Sequence, residues 1–430
     1  MEFQNIFCPS PWLHAKIRSN GDFVYCRWSI IPKDEPAIAN IKDCDAKTFF
    51  QTHMARHRQD MINGNSLKAC NDCHVMEKYG KISGRQKQMI KVGIDPERIE
   101  QSFSTSTFIE QFKYSADNEG HTRLLPMDWQ IDLGNYCNSA CLFCSPSNSS
   151  KLRTQFHKLG MVNNPTQFNW TDDPDLLDKF MEILEQTPTL RYLHFLGGET
   201  FLTPGFRKIL KKCVETGLNK VCTIGTTTNL TVWDQELNEL LCEFPGFNLG
   251  VSIETMHHVN EYLRWPAKQE MILDNLERYR KLSEDKNWTM TIRNTPTLFS
   301  VGTMSSLYRY ALDNRIGVES CDFLSEPKYF KSSVLPMEHR NEAADRLRAL
   351  VNEYEGIKET GTFNTRHKDN IRGAVLDDAK SWIKYLSEAP DESYRLGDVV
   401  DYLKKMESLR NNKITNYLPN YEKILRPVGY

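Results

Sequence analysis

The chain has 430 residues, 40% of them hydrophobic, enough for two or three domains with a substantial core. Its 54 basic and 56 acidic side chains leave a net charge of −2, so no global field exists to hold nucleic acid or an anionic membrane. No apolar run is long enough to span a bilayer and "MEFQNIFCPSPW" lacks the look of an export signal, so the clustered cysteines favour metal over disulfides in a reducing, cytoplasmic setting.

In chain order, the first expected element is a hairpin. "HAKIRS" and "DFVYC" alternate apolar with polar residues around Asn20-Gly21, a strong turn dipeptide, and Cys8 and Cys26 flank them. "CNDC" then adds Cys70 and Cys73, and "GIDPER" marks a break. From Met127 to Leu324 the rhythm changes. "MDWQIDL" (127–133), "LRYLHFL" (190–196), "KVCTIG" (220–225), "FNLGVSI" (247–253), "TMTIRN" (289–294) and "VESCDFL" (318–324) read as strands. Between them "DLLDKFMEILEQ", "GFRKILKKCVET", "ELNELLCEF" and "EMILDNLERYRKL" carry apolar residues at helical spacing. Six strand–helix units imply a parallel sheet, open or closed into a partial barrel. Their roughly 200 residues fall short of the ~250 typical of an eight-unit barrel. After Pro327 the chain is charged and helical, as in "MEHRNEAADRLRALVNEYE" and "GDVVDYLKKMESLR". These shifts divide the chain into residues 1–95, 126–328 and 329–430.

The densest chemistry is "NYCNSACLFCSP", which sets Cys137, Cys141 and Cys144 just behind the first of the six strands. That is the end where parallel α/β folds place active sites. A structural zinc site takes four ligands, usually as two C-x2-C pairs. A cubane iron–sulfur cluster held by three thiolates leaves one iron open to a chelating ligand. The motif resembles the C-x3-C-x-aromatic-C signature of radical S-adenosylmethionine (SAM) enzymes, with Phe143 in the aromatic place near the adenine. The resemblance implies an α/β fold, a partial (β/α)6 TIM-like barrel. It also implies a [4Fe-4S] cluster on Cys137, Cys141 and Cys144 with SAM on its open iron; a zinc knuckle completed by a distant ligand is the alternative.

Further matches follow in that family's order. "LGGET" resembles its GGE motif, so Gly197, Gly198 and Glu199 would meet the SAM amino group. In "TTTN", Thr227, Thr228 and Asn229 would lie at the same mouth as polar groups near cofactor or substrate. In "VSIET", Ser252 and Glu254 stand where the family often carries Ser-x-Asp, with Glu254 replacing Asp, as ribose contacts. Arg264 in "EYLRWP" is the natural partner for the SAM carboxylate, because a guanidinium fork matches it in two places. Each has a bland alternative: a tight turn, a helix cap, a surface ion pair. Their order and register behind the cysteine triplet favour the cofactor roles.

Cys8, Cys26, Cys70 and Cys73 make four thiols, which physically suit zinc or a cluster equally. Their spacing resembles SPASM and twitch domains, which hold auxiliary [4Fe-4S] clusters but usually follow the core, whereas this one precedes it. "MARHRQDMINGNSLKACNDCHVMEKYGKISGRQ" is similar to a twitch-type group arranged this way, which implies an N-terminal β-hairpin/helical iron–sulfur domain; the charged helical stretch after Pro327 reads as a C-terminal helical appendage. Cys44 is an alternative member of the set. Cys213 and Cys242 fit core positions on helices; Cys222 lies on a strand. Cys321 is a candidate hydrogen donor to a substrate radical, with core packing as its other reading. His194, His257 and His258 show no ligand spacing.

The resemblance implies a radical SAM enzyme that cleaves SAM reductively to a 5′-deoxyadenosyl radical and abstracts hydrogen from a substrate C–H. An oxidation or crosslink on a peptide or amino-acid-like substrate is expected, assisted by the auxiliary cluster and a reductase such as flavodoxin or ferredoxin. No membrane or nucleic-acid partner is expected. Two alternatives are a zinc-containing binding protein and a nucleic-acid modifier using the basic stretches "MARHRQD" and "KYGKISGRQKQMIK".

Overall fold

The computed structural model describes residues 6–24, 26, 38–65, 67–319, 323–356 and 371–430. Within them are strands β1 (His14–Ile17), β2 (Asp22–Val24), β3 (Ala39–Asn40), β4 (Asp128–Asp132), β5 (Tyr192–Leu196), β6 (Thr223–Thr228), β7 (Phe247–Ser252), β8 (Thr289–Arg293) and β9 (Gly317–Val318). They form one sheet in the order β3-β2-β1-β4-β5-β6-β7-β8-β9. β4 to β9 run parallel in chain order, the mixed α/β, partial-barrel arrangement that alternating strands and helices require. The hairpin β1–β2 turns at Asn20-Gly21, with Gly21 at φ +89°. Its first strand also joins the larger sheet: β1 lies parallel to β4, pairing Lys16 with Gln130 and Ile17 with Ile131. The sheet thus runs across the gap between residues 1–95 and 126–328.

Strand alternation gives the sheet two unlike faces. Trp129, Ile131, Leu193, Phe195, Leu249 and Ile292 are buried in the main core, where Trp129 meets Phe180 edge-on at 5.1 Å. Phe180 belongs to the helix Pro174–Glu185, which starts on Pro at its first position and on an Asp173 side chain that accepts the Asp175 and Leu176 N–H groups. On the other face, Lys16, Gln130, His194, Gly225, Asn248 and Thr289 stand in one cross-strand row. This inner face is polar. A Cβ at Gly225 would fall 2.2 Å from Tyr192 Oη, so the glycine makes room for the Tyr192–His194 pair, bonded at 3.0 Å.

Three local expectations change. β6 begins at Thr223 rather than Lys220, because Leu218–Lys220 forms a tight turn behind the left-handed Gly217, and the three β-branched threonines 226–228 extend the strand instead. Among the described residues β9 is Gly317–Val318, and Phe323 stacks on Tyr385 at 4.2 Å and meets Trp382 at 4.8 Å. Cys321 lies outside the described residues. Cys242 caps the helix Gln235–Leu241 and is exposed, because the helix ends before its apolar face would carry that residue inward. Cys213 is fully buried as expected.

The C-terminal helices Met337–Glu355 and Ile371–Glu388 pack against each other. Buried Arg340 joins them by donating to the carbonyls of Tyr385, Leu386, Ala389 and Pro390, acceptors that a helix end leaves unsatisfied. The helix Leu396–Arg410 returns to the cysteine loop, where Tyr402 Oη donates to Leu142 O at 3.1 Å. No helix among the described residues is long and apolar enough to cross a membrane.

Candidate functional site

The loop after β4 carries the three cysteines and is tied to a segment more than a hundred residues away. Ala140 N–H donates to Trp265 O at 2.7 Å and Leu142 N–H to Leu263 O at 2.8 Å. These bonds bracket Arg264. Its Nη1 lies 3.9 Å from Cys141 Sγ, and its guanidinium is 5.7 Å from the centre of the Phe143 ring. Fully buried Glu254 accepts from Arg264 Nε at 3.0 Å and from Nη2, and also from Thr295 N–H. A buried charge is thereby paired on two sides, as burial demands.

The glycine turn after β5 is fastened to the same loop. Glu199 N–H donates to Tyr136 O at 2.7 Å. Gly197 and Gly198 have φ of +101° and +61°; a Cβ on Gly198 would sit 2.0 Å from Tyr136 O and one on Gly197 2.6 Å from Gly134 O. Only glycine permits this approach. The Glu199 carboxylate accepts from Thr228 Oγ1 at 2.8 Å, Phe201 N–H at 3.3 Å and Asn229 N–H at 2.6 Å. Burial lifts its pKa to about 7, against the downward pull of these bonds and of Arg264. Asn229 Nδ2 in turn donates to Asn138 Oδ1 at 3.0 Å and Ser139 Oγ at 3.1 Å, joining the end of β6 to the cysteine loop.

Cys137, Cys141, Phe143, Cys144, Gly197, Gly198, Glu199, Asn229, Ser252 and Arg264 all line one cavity of about 550 Å³ at the carboxyl ends of the strands. Thr228 and Glu254 stand behind that wall, fully buried, bracing Glu199 and Arg264 in place of the ligand contacts expected of them. Thr227 of the TTTN stretch lines the cavity as well, and the fold adds two wall residues with no motif to announce them, Thr295 and Asp72. Asp72 sits between Cys70 and Cys73, so the N-terminal thiol loop reaches the main cavity. Nothing in the sequence connects position 72 to position 137.

Burial raises the pKa of all three thiols. Cys144 is pushed up to about 12, with the neighbouring Cys141 adding to the effect. For Cys141, Arg264 and Arg410 oppose the desolvation and Glu254 adds to it. A cation would reverse this balance, since a coordinated thiol gives up its proton. Among the described residues, no group of three or more His, Cys, Asp or Glu is placed to hold a metal ion. The triplet lines a volume within the ~300–1,000 Å³ range of small-molecule sites, and donors spread around a space fit a cluster with a ligand better than they fit a lone ion.

The second set of thiols also comes together. Cys8, Cys26, Cys70 and Cys73 share a small pocket with Met61, Leu67, Ala69 and Arg85. Burial raises Cys8 and Cys70, the latter to about 12, and the companion thiols raise them further. Cys44 is engaged elsewhere, its Sγ 3.2 Å from Asp45 O. The pocket is stapled by Arg58, fully buried, which donates to the carbonyls of Pro11, Phe50, Gln51 and Gly120. Arg85 pairs with Glu77, which also accepts from Ser83 Oγ, and Arg85 Nη1 reaches Phe7 O at 3.2 Å.

A parallel partial barrel thus brings three thiols, a left-handed glycine turn and a guanidinium onto the wall of one cavity. Residues 131–293, from β4 to the end of β8, match the model of the Radical SAM superfamily. Among solved structures, Streptococcus suis SuiB bound to S-adenosylmethionine is similar at 16% identity and a TM-score of 0.38, over 63% of this chain and 57% of that one. The same protein bound to the precursor peptide SuiA is similar at 13% identity and a TM-score of 0.36, over 70% and 62%. Native anSMEcpe with bound AdoMet is similar at 16% identity and a TM-score of 0.39, over 53% and 61%. The chain spans about three fifths of the length of these structures. No curated protein matches it.

Proposed function

We propose that the chain is a radical SAM enzyme. The observation that carries this reading is the meeting of Cys137, Cys141 and Cys144 with the Gly197-Gly198-Glu199 turn and Arg264 on one cavity wall. Cys137, Cys141 and Cys144 would hold a [4Fe-4S] cluster, with Phe143, Gly197, Gly198, Glu199, Asn229, Ser252 and Arg264 around SAM. When bound, this pair supplies reductive cleavage of SAM to methionine and a 5′-deoxyadenosyl radical, which takes hydrogen from a substrate C–H.

The chain's own residues have separable tasks. Glu199, poised near pH 7, accepts from a ligand ammonium, whose charge favours the ionised carboxylate. Arg264, oriented by Glu254 on the cavity wall, would pair with a ligand carboxylate. The walls hold the reacting C–H in place and keep water away.

Cys8, Cys26, Cys70 and Cys73 would hold an auxiliary [4Fe-4S] cluster in an N-terminal twitch-like unit of residues 1–95, ahead of the core at 126–328 and the helical region at 329–430. The substrate is a peptide or amino-acid-like molecule and the net reaction an oxidation or crosslink; the hydroxyl and amide groups of Ser139, Thr227, Asn229 and Ser252 on the cavity wall support a hydrogen-bonding substrate. A flavodoxin- or ferredoxin-type reductase in the cytoplasm would deliver the electron.

The test is iron and sulfide per chain after anaerobic reconstitution. Cys137→Ala/Cys141→Ala/Cys144→Ala should fall from roughly eight irons to roughly four, as loss of one of two four-iron centres requires. Zinc without iron in the wild type would replace this reading with that of a zinc-containing binding protein.

A further inference from the structure

One charged side chain reaches the cysteine loop from a part of the chain outside the barrel. Arg410 closes the helix Leu396–Arg410 and is 8% exposed. Its Nη2 donates to Ala140 O at 2.7 Å and to Gln155 Oε1 at 2.9 Å, and its Nε to Gln155 Oε1 at 3.3 Å. The guanidinium lies 5.1 Å from the centre of the Trp265 ring. Its Nη1 is buried and makes no hydrogen bond. Burial holds the Arg410 pKa below its usual value, and the groups acting on its charge are Tyr402, Tyr262 and Cys141.

Among the described residues, no carboxylate is one of those groups. Arg264, the other guanidinium at Cys141, has its charge matched by Glu254 at 3.0 Å. A buried guanidinium with an idle N–H edge and no counter-charge is expensive unless an anion comes to it. The anions this loop can offer are its thiolates. Arg410 is also held through the Ala140 carbonyl, in the middle of the C-x3-C segment, so its distance from those thiolates is set by the loop itself.

We propose that Arg410 is a positioning residue of the cofactor site, supplying the uncompensated positive charge that sets the reduction potential of an iron–sulfur cluster on Cys137, Cys141 and Cys144. The inference rests on the radical SAM reading of that triplet. A thiolate-held cluster gains negative charge on reduction, so a nearby fixed cation favours the reduced form and raises the potential. The helix Leu396–Arg410 is then part of the redox centre.

The test is a redox titration followed by EPR on reconstituted wild type, Arg410→Gln, Arg410→Lys and Tyr402→Phe. The signal absent from the triple cysteine variant identifies the cluster concerned. Tyr402→Phe removes the bond to Leu142 O and loosens the same loop with no change in charge. Arg410→Gln should lower the reduced-to-oxidised ratio at fixed potential about tenfold, roughly 59 mV for a one-electron couple. Arg410→Lys and Tyr402→Phe should stay near wild type. Loss of iron in Arg410→Gln with retention in Arg410→Lys also supports the charge role. An unchanged potential in Arg410→Gln, an equal shift in Tyr402→Phe, or loss of iron in both Arg410 variants would overturn it. A wild type without iron would instead remove the reading beneath it, a distinct result seen before any variant is compared.

Discussion

Replacing Gly198 with alanine tests the closest approach in the site. A left-handed backbone costs an L-residue roughly 1–2 kcal/mol, and Gly198 has φ +61°. The new Cβ would lie 2.0 Å from Tyr136 O and 2.6 Å from its carbonyl carbon, against about 3.5 Å for an unstrained contact. The turn must therefore move by more than about 1 Å, which breaks the bond from Glu199 N–H to Tyr136 O and leaves buried groups unpaired, a further ~1–3 kcal/mol. Gly217→Ala is the control. It has φ +79° with nothing within 4 Å of the new Cβ, so only the backbone cost applies. Urea unfolding of the apoprotein should show Gly198→Ala less stable than Gly217→Ala by about 1–3 kcal/mol, with a loss of reconstituted iron confined to Gly198→Ala. Equal destabilisation of the two variants, with equal iron, would refute the argument that the glycine exists for this approach.

Other consequences follow from buried charge. Because the Glu199 pKa is raised from 4.5 to about 7, the folded apoprotein holds that proton more tightly than the unfolded chain does. The contribution is therefore fully present below pH 4.5 and lost as the pH rises through 7, about 3 kcal/mol at roughly 1.4 kcal/mol per pKa unit. Unfolding free energies measured from pH 4.5 to 7.5 should show that fall in the wild type and its absence in Glu199→Gln; identical slopes would discount the shift. Glu254→Gln leaves Arg264 buried without its counter-charge and should cost ~3–5 kcal/mol, much of it recovered when Arg264→Met is added, as a double-mutant cycle in urea can read. Arg58→Met leaves four backbone carbonyls without their donor, so it should cost more than about 3 kcal/mol and reduce iron bound by the N-terminal thiols while sparing the triplet.

Much of the site was legible because its signals are local. Three thiols within eight residues, two adjacent glycines before a glutamate, and an Asn-Gly between alternating strands each state their chemistry in a few positions. Strand β6 was misplaced at its start because a left-handed glycine and a tight turn delay the strand, a backbone event that apolar patterning does not encode. Thr228 and Glu254 carry the right chemistry for a ligand but stand behind the cavity wall: strand alternation sets Thr228 opposite Thr227, and Glu254, past the end of β7, is held by Arg264 and the Thr295 N–H.

What the sequence by itself determined is the order of elements and the identity of the donors. The hydrophobic period is a property of neighbouring residues, and a thiol or carboxylate has its chemistry wherever it is placed. What only the tertiary structure decided is which distant groups share a wall. Arg264 is set against Cys141 by two backbone bonds to the cysteine loop, Asp72 is carried into the main cavity by the N-terminal thiol loop, and Arg410 arrives from the last long helix. Those meetings depend on a parallel sheet that gathers the ends of its strands at one edge, and on helices that return across it. Such long-range contacts leave no mark on local spacing, because they are selected by how the whole core packs.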